Sequence, residues 1–152
     1  MIRRHVRSFF HYPPAERLLL IKALCVLAGV RAGLSLLSFP RFQALFGCIL
    51  ATIGVGRDTA ASPPIAQLVW AVRCASVYVP HPTCLTQALA AQVLLERFGY
   101  PTRLLIGVAP DDKGRTPFQA HAWLESKGVV VIGGSTVDYV PLATLQVATP
   151  RG

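Results

Sequence analysis

Two residues in this chain have the types and settings for joint covalent chemistry. Cys84 opens the segment Cys84-Leu-Thr-Gln-Ala-Leu-Ala90, directly behind Pro80-His81-Pro82-Thr83. His121 lies in Gln119-Ala-His121-Ala-Trp-Leu-Glu125, flanked by aromatic and aliphatic residues. A thiol attacks carbon as its thiolate, so it needs a group that takes its proton or stabilises its charge. A helix start supplies partial positive charge, and an imidazole supplies a base. The pair therefore points to acyl transfer through a thioester. Cys25, Cys48 and Cys74 sit inside apolar helical stripes and read as plain core thiols. Cys84 differs because it follows a rigid Pro-His-Pro-Thr corner.

Neighbouring residues compete for supporting roles. Gln87 is one helical turn after Cys84, shares its face, and could reach a substrate carbonyl. Trp123 falls on the His121 face of a strand and could wall a pocket or serve as ordinary core. Glu125 also falls there, but at ~3.3 Å per residue it is ~13 Å from His121, too far to orient the ring. His81 reads as a loop residue. The Cys84 backbone amide, at a helix start, is a natural oxyanion donor. The four cysteines show no CxxC pair and no histidine at metal spacing, which argues against zinc. No metal or organic cofactor is expected. Irregular spacing argues against a disulfide framework, and reduced thiols point to a cytoplasmic protein.

The elements that must carry these residues divide into two halves. Pro13-Pro14-Ala-Glu16 is a good helix start, with proline in the first turn and an acid facing the dipole. Leu18, Leu19, Ile21, Leu24, Cys25, Ala28 and Leu36 recur at three- and four-residue steps and predict a helix buried on that stripe. Pro40 is expected to end it, with a second helix from Arg41 to about Ile53. Residues 54–64 are loop chemistry and the best internal boundary. A third helix is expected over Ile65–Tyr78, with Leu68, Val69, Val72 and Ala75 inward. Thr83 is a natural N-cap for a fourth helix running to Phe98, closed by Gly99. The period then shifts to two. Strands are expected at Thr102–Val108, Phe118–Glu125 and Val129–Ile132, with a tight turn at Ser126-Lys-Gly128 and a weakly patterned tail. The class is α+β: a helical N-terminal half, then a small antiparallel sheet. Residues 1–58 form a helical cap or docking region and 59–152 the core, within one compact domain.

Bulk composition narrows the partners. The chain has 152 residues, 53% of them hydrophobic and 14% charged, which predicts a greasy surface suited to docking. A net charge of +8 favours acidic partners. Nucleic acid is a weak fit, because aromatics do not interleave with basic residues and no glycine-rich phosphate loop appears. The apolar charge-free run Phe42 to Gly56 is 15 residues, against the ~20 a spanning helix wants. No transmembrane segment is expected, and the basic N-terminus makes a poor signal peptide. Peripheral membrane contact stays compatible with this surface.

Cys84-Leu-Thr-Gln-Ala-Leu, the segment from Gly99 to Val108, and Ala120-His-Ala-Trp-Leu-Glu125 followed by a glycine-turn strand resemble the lasso peptide biosynthesis B2 proteins. These are the transglutaminase-like leader peptidases of lasso peptide clusters, and the similarity spans about residues 60 to 135. The resemblance implies a papain/transglutaminase-like core and a cysteine protease that removes the leader from a ribosomally made precursor. A separate ATP-dependent macrolactam synthetase would then close the ring. It also implies that Cys84 is the nucleophile and His121 the general base. The family commonly has an acid near the end of the next strand, where this chain has Val131-Ile-Gly-Gly-Ser135. Asp138, Ser135 or a backbone carbonyl could hold the imidazole instead, Asp138 being the carboxylate candidate. Fused family members carry a leader-gripping domain, for which this chain lacks space. A separate B1 protein would therefore deliver the precursor, with the N-terminal helices and Arg31, Arg41 and Arg57 as its docking surface. The competing reading is a non-catalytic precursor-binding scaffold, supported by the missing acid.

Overall fold

The computed structural model describes residues 12–53, 62–110, 118–134 and 139–145. Among these, four helices precede a four-stranded antiparallel sheet: α1 (Pro14–Leu36), α2 (Phe39–Ile53), α3 (Ile65–Ser76), α4 (Cys84–Arg97), β1 (Arg103–Pro110), β2 (Phe118–Ser126), β3 (Val129–Ile132) and β4 (Val140–Leu145). The α+β reading holds. Strand order is β3-β2-β1-β4.

α4 is the central helix. Ala88, Ala90, Ala91 and Leu95 are fully buried, so it is apolar on nearly every side, as an enclosed helix must be. α1 and α3 pack on it and on each other, and β2 packs along it. Its small side chains let these neighbours approach closely. Leu104, Leu124 and Ile132 extend the helical core into the sheet. Because strand residues alternate, Leu124 faces the helices while His121, Trp123 and Glu125 occupy the other face of β2.

The helix ends follow local chemistry. Thr83 caps α4, its hydroxyl accepting from the Thr86 amide at 3.2 Å. Gly99, at φ 81°, closes the other end, with Tyr100 N–H donating to the Leu95 carbonyl at 3.0 Å. Glu96 then accepts from Thr102 at 2.7 Å, tying the end of α4 to the start of β1. β2 and β3 are joined through Lys127-Gly128, both at positive φ (51° and 78°), which suits the right-handed twist of a hairpin.

Four sequence expectations are corrected. Pro40 does not end the first helix; α1 stops at Leu36, and Pro40 lies in the first turn of α2, where its missing N–H costs nothing. The stripe expected to be buried on α1 is largely its outer face. Leu19, Leu20, Ala23, Leu27 and Val30 are buried, whereas Leu18, Ile21, Leu24, Cys25, Ala28 and Leu36 are exposed. A helix apolar all round gives no period from which to choose a side. Cys25 and Cys48 are accordingly exposed rather than core thiols. The tail contains β4, which pairs with β1 as an edge strand and tolerates Pro141 there. In addition, α1 is long and apolar enough to cross a membrane by length and composition, although no spanning segment is expected from charge-free runs. Only 28% of that apolar stretch is buried, along the stripe that packs on α3 and α4.

Candidate functional site

Cys84 is the first residue of α4 and is partly exposed. Thr83 and Thr86 fix this turn doubly: their hydroxyls lie 2.8 Å apart, and the Thr83 oxygen takes the Thr86 amide. The Cys84 sulfur thus sits on a capped helix start that carries partial positive charge. The corner before it is tight, with His81 at φ 52° and exposed, as a loop residue would be. Gln87, one turn on, is half-buried, and its backbone N–H donates to the Thr83 carbonyl.

His121 projects from β2, opposite Gly107 of β1. Its Nε2 lies 2.6 Å from the Gly133 carbonyl oxygen. A carbonyl can only accept, so Nε2 carries the proton and Nδ1 of the neutral ring holds the lone pair. The ring packs in a cluster with two aromatics that also touch each other, their centroids 6.5 Å apart. Trp123 stacks at 6.2 Å and 20°, and Tyr139 lies at 4.9 Å and 35°. Trp123 is buried, and its indole N–H donates to Glu125 at 3.3 Å. Glu125 is therefore engaged with the tryptophan and not with the imidazole.

Glycine is required at two points around this cluster. A Cβ on Gly107 would fall 2.9 Å from the Trp123 ring and 2.8 Å from the Val140 carbonyl. One on Gly133, which is at φ 119°, would fall 2.3 Å from the Trp123 Cβ. The chain after β3 thus lies directly on Trp123, and this close approach brings the Gly133 carbonyl to the imidazole.

The structure brings His121 together with Trp123, Tyr139 and Gly133. It does not join His121 to Cys84: no hydrogen bond links them, and α4 packs on the Leu124 face of β2 while His121 projects from the other face. Asp138 and Ser135 lie outside the described residues. Tyr139 is a partner that sequence reasoning missed; a backbone carbonyl is among the alternatives that reasoning leaves open, without Gly133 being singled out. Tyr139 stands in a stretch without clear period, and Gly133-Gly134 reads only as a strand breaker. Among the described residues, no cluster of three or more His, Cys, Asp or Glu could hold a metal ion. Burial pushes the Cys74 thiol up, which leaves it a poor nucleophile.

The model of the transglutaminase-like superfamily core matches residues 27–144, most of the chain. The chain belongs to the transglutaminase-like superfamily. Its match begins within α1 and ends in β4, so the helices before Cys84 are part of the shared unit. No curated protein and no solved structure matches the chain. Superfamily membership is consistent with cysteine-dependent protease or transpeptidase chemistry.

Proposed function

We propose that this transglutaminase-like protein is a cysteine endopeptidase that removes the leader from a ribosomally made lasso precursor peptide. The observation that carries the reading is a partly exposed thiol on the capped start of the central helix of a transglutaminase-like core. His121, with Nδ1 as its basic nitrogen, supplies the second half. Nδ1 takes the Cys84 proton, and the thiolate adds to the scissile carbonyl. The resulting oxyanion is met by the Cys84 amide. The leaving amine takes the proton from Nδ1 as the thioester forms. Water, deprotonated by the same nitrogen, then adds to the thioester, and the thiol is restored with release of the leader acid.

Gln87 is assigned to a substrate carbonyl and Trp123 to the wall behind the imidazole. Asp138 is given no step here. The partners of this reading are the precursor, a separate B1 protein that presents its leader, and the macrolactam synthetase that takes the product. Exposed Leu18, Ile21 and Leu24 on α1 and Leu45 and Ile49 on α2 support a docking face, with Arg41 beside them. Arg57 lies outside the described residues. Peripheral contact with a membrane would use the same face, and a cytoplasmic setting suits the free cysteines.

The test is cleavage of a leader-bearing precursor, followed by mass spectrometry with and without the B1 protein. Cys84→Ala should abolish cleavage while precursor binding persists. Cleavage by that variant would remove the peptidase reading. Binding without cleavage by the unaltered protein would favour the precursor-binding scaffold.

A further inference from the structure

Resting on the reading of His121 as the base, we propose that the main-chain carbonyl of Gly133 is the group that positions the imidazole. In this role it stands where relatives would use a carboxylate. Three observations converge on it. The carbonyl oxygen is 2.6 Å from Nε2, a short and well-formed contact. No other hydrogen-bond partner holds the ring among the described residues. The backbone can deliver this oxygen only because residue 133 is glycine: its φ is 119°, and any Cβ would collide with Trp123. The third is the aromatic cluster around the ring. Trp123 and Tyr139 pack beside the ring and against each other, so the carbonyl sets its tautomer while they restrict its rotation.

The chemistry follows from what a carbonyl can do. It accepts and never donates, so the neutral ring is held as the Nε2–H tautomer with its lone pair on Nδ1. When Nδ1 gains the thiol proton, Nε2–H keeps its bond to Gly133, and the ring need not turn to pass that proton on. Unlike a carboxylate, the carbonyl brings no charge, so it directs the ring without adding a formal negative charge beside it. Gly133 is therefore a positioning residue, and its role does not depend on Asp138.

The direct test needs no substrate. Two-bond ¹⁵N–¹H correlation spectra of the imidazoles read the tautomer of each neutral histidine. His121 is assigned by the signal lost in His121→Gln, apart from His5, His11 and His81. The expected result is an Nε2–H tautomer for His121, and an Nδ1–H tautomer would overturn the proposal. Kinetics give a second arm. Gly133→Ala, checked for folding by circular dichroism, should lower kcat by roughly 10²-fold or more with a much smaller change in KM. Unchanged kcat in the folded variant would overturn the proposal. So would a loss near 10⁴-fold in Asp138→Asn, the size expected when an orienting acid is removed. If Cys84→Ala still cleaves, the peptidase reading fails, whereas the tautomer is read independently of cleavage.

Discussion

At the scale of single residues, Cys84 and Thr83 act together. Thr83 satisfies an amide that would otherwise be orphaned at the start of α4, and it holds the turn that presents the thiol. Thr83→Ala should lower stability by about 1 kcal/mol, with Thr83→Ser restoring most of it, as measured by urea denaturation. This cap was legible in the sequence, because threonine before an alanine-rich run after two prolines has few other readings. Of the partners of His121, a backbone carbonyl was legible only as one alternative, without its residue, and Tyr139 not at all. A backbone carbonyl has no letter of its own, and the approach of Gly133 depends on where the chain crosses Trp123. Cys74 provides a pH signature. Burial holds its folded-state thiol above the ordinary cysteine value, so the neutral form is favoured in the fold. That contribution is intact below the unfolded value and is lost as pH rises through the folded one. Cys74→Ala should flatten this alkaline loss of stability, followed as melting temperature against pH.

At the scale of elements, the sheet is held to the helices by few but deeply buried residues. Leu124 is fully buried at the junction of β2 with α4, and Leu124→Ala should cost about 2–5 kcal/mol, read from thermal or denaturant unfolding. The glycines of the sheet give a graded comparison. Gly128, at φ 78°, has open space where a Cβ would point, so Gly128→Ala carries backbone strain alone, about 1–3 kcal/mol. Gly133→Ala adds a collision with Trp123 and should be the more destabilising of the two in the same assay. The first three strands were readable because β-branched and aromatic residues alternate between glycine and proline punctuation. β4 was not, because Pro141 and exposed Val140 and Leu142 break the pattern of a buried strand. Its pairing depends on β1, which is distant in sequence.

Across the whole molecule, the excess of apolar residues over core positions has a visible outlet on α1 and α2. Sequence composition announced a greasy surface, but the chain could not say which side of α1 would face outward, since both sides are apolar. Leu27 and Leu18 look alike in the sequence and end at opposite extremes of exposure. Leu18→Gln with Ile21→Gln should leave stability within about 0.5 kcal/mol. If the proposed B1 partner docks there, the same pair should weaken its capture, measured by calorimetric titration. Equal loss of stability and capture would mean that the face belongs to the core.

The central claim is that Cys84 and His121 act as a pair, and it can be tested without knowing the substrate. The measurement is the alkylation rate of each cysteine by iodoacetamide near neutral pH, resolved by peptide mass spectrometry. Exposure alone would rank Cys25 and Cys48 first. Pairing predicts that Cys84 reacts at least about tenfold faster than either, and that His121→Ala removes this advantage. If Cys84 reacts no faster than Cys25 and Cys48, or keeps its rate without the imidazole, the pairing is contradicted.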